Sequence, residues 1–351
     1  MNIRVVLADR DKEYIENFKK AVVINYNSDI EYSFFSDEEE FKRHMFEKKC
    51  DVLLIDENIE YKEYDGIRLV LTDIKGVNNK NGHKAIYKYQ KTENIYHAVV
   101  DIYAEMKEKE GIIFHNGGNA KMVSFISAGG GTGKTTVSFA VAKLFKSMGK
   151  EVLYVPLEQF SDINYTRRGD ETQTLSNLFY DVKKGSSTLS LKIKNIIRRG
   201  ADDLLFLRPM DNPTEAGQMN SEEWEVMLDA LSDIDNIDYI FLDHSTGIFR
   251  NFNITAEKAN IICMVTDASP SGMVKTTEMI KYMQKCREYK SIKQKLRLIV
   301  NKANSTSNEE FKHLKDWIVS YLPNYGTAQM RDVINALQIQ EQCKKVIELD
   351  A

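Results

Sequence analysis

The sequence predicts an α/β chain of two domains, on the strength of three observations. Apolar runs of strand length alternate with stretches of helical spacing from the N-terminus onward. A charged, glycine-containing interruption runs from Lys107 to Lys121, and a glycine-rich loop follows the next apolar run. Such alternation packs as a parallel sheet covered by helices. The expected organisation is a small doubly wound sheet over residues 1–109, a linker over 110–121, and a larger domain over 122–351. The larger domain should hold a mostly parallel sheet with helices on both faces. A length of 351 residues also exceeds what one core ordinarily serves.

In the first domain, Ile3 to Ala8 reads as a buried strand, and Ile15, Phe18 and Val22 follow at helical spacing. Ile30 to Phe35 is a second strand, a charged helix begins at Ser36, and the apolar run Val52 to Ile55 ends at Asp56. Asp65-Gly66 marks a turn that leaves no room for a helix before the strand Leu69 to Thr72. Ile95, Val99, Ile102 and Met106 line one face of the closing helix. In the second domain the strand runs are Met122 to Ile126, Glu151 to Val155, Leu204 to Leu207, Tyr239 to Leu242, Ile261 to Val265 and Leu296 to Val300. Ligands of such sheets gather at the carboxyl ends of the strands.

The loop Ser127-Ala128-Gly129-Gly130-Gly131-Thr132-Gly133-Lys134-Thr135-Thr136 leaves one of these strands and opens a helix. Glycines let backbone N–H groups and a helix N-terminus face an anion, while a lysine and a hydroxyl reach phosphate oxygens and Mg²⁺. ATP with Mg²⁺ is the expected ligand, with Gly129, Gly130, Gly131, Thr132, Gly133, Lys134, Thr135 and Thr136 on the phosphates. Asp243 ends an apolar strand, where a carboxylate holds the metal through water, so Thr135 and Asp243 are the expected metal residues. Asn301 ends another strand, and its amide offers a donor and an acceptor to a ligand or serves as a cap.

A formal net charge of -4 argues against a chain whose main work is neutralising nucleic-acid phosphates. The four cysteines, Cys50, Cys263, Cys286 and Cys343, are scattered without a CxxC pair and read as reduced thiols. No apolar run approaches the ~20 residues that span a bilayer, so a soluble cytoplasmic protein without an integral membrane segment is expected.

Two family resemblances rest on these residues. Asp9 and Asp11 after the first strand, Asp56 at the end of the third, Thr72 and Lys88 resemble the phosphorylation machinery of response-regulator receiver domains, which implies a flavodoxin-like sheet. Arg10 interrupts the acidic pair and Tyr89 replaces the usual proline, so a docking module is expected rather than a phosphotransfer switch. Gly129 to Thr136 resembles the deviant Walker A loop of the ParA/MinD ATPases, with Gly129 at the family's signature lysine. In that family the lysine reaches across a nucleotide-bound dimer to the partner's phosphates. Pro156-Leu157-Glu158 stands at the family's Asp-x-Asp, with Glu158 as the retained catalytic carboxylate. Tyr239 to Asp243 resembles Walker B, Ser245-Thr246-Gly247 the small-residue switch, and Asn301 the adenine-binding asparagine.

A degenerate receiver joined to a ParA/MinD-like P-loop NTPase resembles the TadZ/CpaE pilus-assembly family. That resemblance implies an ATP-binding localisation factor that forms a homodimer with ATP, and slow hydrolysis is expected because Gly129 and Pro156 replace two of the family's charged groups. It also implies protein partners in a pilus or secretion assembly at the cell pole. The alternative is a partition or positioning ATPase acting on DNA or membrane. DNA is disfavoured because Arg167-Arg168 and Arg198-Arg199 are isolated basic pairs, and membrane because Gln338 to Ala351 lacks a strong apolar face.

Overall fold

The computed structural model describes residues 3–25, 30–110, 118–161, 173–200, 203–287, 289–305, 307–326 and 328–338. Arg167, Arg168, Cys343 and the tail after Gln338 lie outside them. The chain divides into two compact units, residues 1–114 and 115–351.

The first unit runs β1 (Ile3–Ala8), α1 (Lys12–Asn25), β2 (Ile30–Phe35), α2 (Glu38–Glu47), β3 (Val52–Asp56), β4 (Ile67–Thr72), β5 (Asn79–Lys80), β6 (His83–Tyr87) and α3 (Thr92–Lys109). Its sheet has the order β2-β1-β3-β4-β6-β5, parallel except for the β5–β6 hairpin. Val6, Ala8, Leu53 and Ile55 bury one face against Phe41 of α2, while α1 and α3 pack on each other. No helix joins β3 to β4. In its place Ile59 is buried, the Tyr61 ring meets Phe41 edge-on at 5.0 Å, and the Tyr64 hydroxyl donates to the Cys50 carbonyl at 3.3 Å. Aromatic side chains on an irregular segment thus do the covering that a crossover helix would do.

The second unit runs β7 (Lys121–Ile126), α4 (Lys134–Ser147), β8 (Val152–Leu157), α5 (Leu175–Lys183), α6 (Leu189–Ile196), β9 (Arg198–Arg199), β10 (Leu205–Phe206), α7 (Glu215–Gln218), α8 (Ser221–Ser232) and β11 (Tyr239–His244). It continues with α9 (Phe252–Lys258), β12 (Ile261–Asp267), α10 (Pro270–Met283), α11 (Tyr289–Lys295), β13 (Leu296–Ala303), α12 (Ser307–Glu310), β14 (Ile318–Pro323) and α13 (Met330–Gln338). The eight strands lie in the order β14-β13-β12-β7-β11-β8-β10-β9, antiparallel only between β9 and β10. Alternate residues of each central strand point to opposite faces. Val123, Phe125, Tyr154, Phe241 and Val265 meet α4 and α13, and the intervening Met122, Leu153, Val155, Ile240 and Leu242 meet α5, α6 and α8. Burial on both sides explains why these strands read as unbroken apolar runs. The run Leu204 to Leu207 contributes only the two residues of β10 to the sheet.

Candidate functional site

Residues 127–133 connect β7, in the middle of the sheet, to α4. Gly131 (φ 73°) and Gly133 (φ 82°) take left-handed conformations that residues with a β-carbon adopt at a cost. A β-carbon on Gly133 would also overlap the Asn301 amide, whereas β-carbons on Gly130 and Gly131 would face open space. The end of β13 fixes the loop: Asn301 Nδ2 donates to the Thr132 carbonyl at 2.9 Å, and Lys302 Nζ to the Gly131 carbonyl at 2.7 Å. On the other side Gly247 N donates to the Ser127 carbonyl at 2.8 Å.

Below the loop the first residue of α4, Lys134, is 4% exposed. Its ammonium donates to Asp243 at the end of β11 and to Glu158 just beyond β8. Those strands are neighbours, with Asp243 opposite Pro156, which brings both carboxylates to one lysine. The Tyr154 hydroxyl donates to Asp243 Oδ2 at 2.7 Å and lies 2.9 Å from Ser138 Oγ. Burial raises the pKa of Glu158 and the Asp243 charge adds to this, while Lys134 and Thr135 pull it down. Burial and the nearby Lys134 charge lower His244 to about 3, so its imidazole is neutral, stacked 4.1 Å from Phe249.

The loop, Lys134, Thr135, Thr136, Glu158, Phe160, Thr246 and Met330 line a cleft of about 320 Å³. The residues fit a magnesium nucleotide. The glycine backbone is open where phosphates would lie, and Ser127 Oγ is buried there without a hydrogen-bond partner. No group of three or more acidic, histidine or cysteine side chains that could hold a metal exists among the described residues. An ion in this cleft would therefore take most of its ligands from phosphate and water, as Mg²⁺ does.

Gly129, Gly131, Thr132, Gly133, Lys134, Thr135, Thr136 and Glu158 thus share one cleft, and Asp243 reaches it through Lys134. Asn301 lies at the back of the loop, with its amide nitrogen committed to Thr132. Reasoning from the sequence missed Tyr154 and Lys302. Tyr154 had a signal, because a hydroxyl in a fully buried strand needs a partner.

The receiver-like unit has its own polar cluster. Lys88 Nζ lies 3.2 Å from both Asp9 Oδ2 and Asp56 Oδ2, and within 5.6 Å and 5.3 Å of the Tyr14 and Tyr89 ring centres. Burial opposes the Lys88 charge, but Asp9 and Asp56 outweigh it and hold its pKa well above the usual lysine value. The Asp11 carboxylate turns to the start of α1 and accepts from Glu13 N and Tyr14 N at 3.0 Å each, and Arg10 pairs with Glu38. Helix capping claims the second carboxylate.

Comparison with known proteins places both units among known domains. Residues 1–104 match the TadZ-like receiver domain, and residues 120–298 match the AAA domain. None of the curated proteins compared matches the chain. A ParA family ATPase from Chlorobium tepidum TLS superposes with a TM-score of 0.51 at 19% identity, over 66% of this chain and 93% of that one. The MinC:MinD cell division protein complex of Aquifex aeolicus gives 0.51 at 18%, over 66% and 96%. The ATP complex of a Cyanothece McdA variant gives 0.51 at 17%, over 66% and 97%. At such identities the likeness establishes the fold alone. The chain therefore belongs to the AAA-domain family, with a TadZ-like receiver domain preceding a domain of the ParA/MinD fold.

Proposed function

We propose that this chain is an ATP-binding localisation factor that positions components of a pilus or secretion assembly at the cell pole from the cytoplasm. In this reading residues 1–109 are the docking domain, 110–121 the linker and 122–351 the ATPase domain. The nucleotide part is carried by the buried Lys134 held between Asp243 and Glu158 under an open glycine loop, and the pilus and polar part is supported by the match of residues 1–104 to the TadZ-like receiver domain. Magnesium-bound ATP would supply a hydrolysable phosphoanhydride there. Gly129 to Lys134 hold its phosphates, Thr135 and Asp243 its metal, and Asn301 keeps its carbonyl oxygen for the base edge while its amide holds the loop.

Turnover is slow in this reading. Gly129 carries no ammonium and Pro156 no carboxylate, leaving Glu158 alone to position water, and loss of transition-state charge partners costs orders of magnitude in rate. Nucleotide then acts by joining two copies. Exposed Phe160 lines the cleft, and exposed Ile248 and Val274 each lie one residue from a contact to the loop. A second copy is the occupant that such a rim suits, because the bound phosphates it surrounds would be shared across a twofold axis. Isothermal titration of the full chain with MgATP tests the reading: micromolar or tighter binding that Lys134→Ala abolishes is expected, and undiminished affinity in that variant overturns the site.

A partition or positioning ATPase acting on DNA or membrane is the second reading, favoured by the ParA/MinD fold. The Arg198-Arg199 pair does not serve it. Arg198 is buried with its guanidinium on the Asn195 and Ile197 carbonyls, and Arg199 pairs with Asp203 and Glu151. Salt-sensitive binding to duplex DNA, or sedimentation with anionic vesicles, would favour this alternative.

A further inference from the structure

We propose that Lys275 is the cation that reads the terminal phosphate of a nucleoside triphosphate, distinguishing it from a diphosphate. The inference rests on the nucleotide site proposed above. Gly129 opens the phosphate loop without a side chain, and one residue occupies the space its side chain would take. A β-carbon built on Gly129 would lie 3.3 Å from Lys275 Cδ and 3.8 Å from Lys275 Nζ, with no other atom within 4 Å beyond its chain neighbours.

The fold brings Lys275 there by close packing at the start of α10. Asp267 ends β12 and accepts from Ser269 N at 3.1 Å, and Ser269 Oγ caps the helix by accepting from Gly272 N at 2.9 Å. Gly272 is pressed so closely on Asp267 that a β-carbon would overlap the carboxylate. The first turn of α10 therefore lies against the strand end, and Lys275, one turn further on, extends to the entrance of the loop.

Charge makes the placement chemical. Lys134 is held by two carboxylates, so that buried trio carries net negative charge. The Lys302 ammonium is on the Gly131 carbonyl. Lys275 is exposed and has no hydrogen bond or ion pair among the described residues. A magnesium triphosphate adds negative charge to the cleft, and its terminal phosphate is the part that a diphosphate lacks. Lys275 stands beside Gly129 at the loop edge, and a lysine serves phosphate as a mobile point charge.

The test is calorimetric titration of the full chain with MgATP and with MgADP, which reads binding rather than turnover. Lys275→Ala is expected to weaken ATP about tenfold, as loss of a charge-assisted contact does, with ADP changed less than about twofold. Lys275→Arg should keep the ATP preference, and Lys275→Ala combined with Gly129→Lys should restore part of it by returning an ammonium to the same space. An unchanged ATP-to-ADP ratio in Lys275→Ala, or equal losses for both nucleotides, overturns the proposal and shows a solvated or structural lysine. Failure of the unaltered chain to bind either nucleotide overturns the site itself, and Lys275 with it.

Discussion

Lys134 is buried and holds two carboxylates in the larger unit. Replacing it with alanine removes the cation from two carboxylates, of which Asp243 is 1% exposed. Uncompensated buried charge costs about 3–5 kcal/mol, so Lys134→Ala should lower thermal stability as well as abolish ATP binding. A less drastic substitution separates packing from charge. Tyr154→Phe keeps the ring in the core but takes a donor from Asp243, and should cost about 1–2 kcal/mol in urea unfolding. No loss would mean that Lys134 alone satisfies Asp243. In the first unit, Asp51 gives a pH-dependent counterpart. Burial raises its pKa, but hydrogen bonds and charge from Arg4 outweigh that and hold it below the ordinary 3.8. A lowered folded pKa adds stability that is full above 3.8 and is lost as pH falls through the folded value. Arg4→Gln should therefore flatten the loss of stability below pH 3.8 in acid denaturation, and an unaltered acid limb would remove Arg4 as its cause.

At the scale of elements, the central parallel strands of both sheets were legible because burial on two faces writes them as apolar runs, and the phosphate loop because its glycines stand between such a run and a helix, whereas the half-buried edge strand β14 was not assigned. The β5–β6 hairpin was not assigned from sequence, although its signal was present. Asn81 and Gly82, at φ 53° and 79°, form the two-residue turn that such a dipeptide favours. The polar runs around them, Asn79 to Lys80 and His83-Lys84, hid the strands because this edge buries few side chains. That hairpin also leads the chain to Lys88, which follows β6 and puts its ammonium between Asp9 and Asp56. Both buried carboxylates depend on this one cation, so Lys88→Ala should destabilise the first unit by about 3–5 kcal/mol. A small phosphodonor should leave Asp56 unlabelled. Incorporation at Asp56 with Mg²⁺ would show that Lys88 yields to the ion.

For the whole molecule, each unit builds its core from its own residues: Phe41, Leu53 and Ile55 in one, and the clusters around Phe125, Leu242 and Met264 in the other. Two self-contained cores allow two separable tasks. ATP binding that favours the dimer must raise dimer population with nucleotide concentration by linkage, so light scattering should show a mass near twice that of the chain at saturating ATP. An unchanged mass would remove nucleotide as the joining device. The receiver-like unit keeps its sheet while its lysine closes the acidic cluster, which is the pattern of a fold used for its surface rather than for phosphoryl chemistry. Deleting residues 1–109 should then leave ATP binding and dimerisation in place and abolish polar placement of a fluorescently tagged protein. Asp56→Ala should leave placement unchanged, since Lys88 keeps Asp9 as its partner. A truncated protein that still gathers at one pole would place the address in the ATPase domain. Dispersal of the Asp56→Ala protein would show that the carboxylate governs docking.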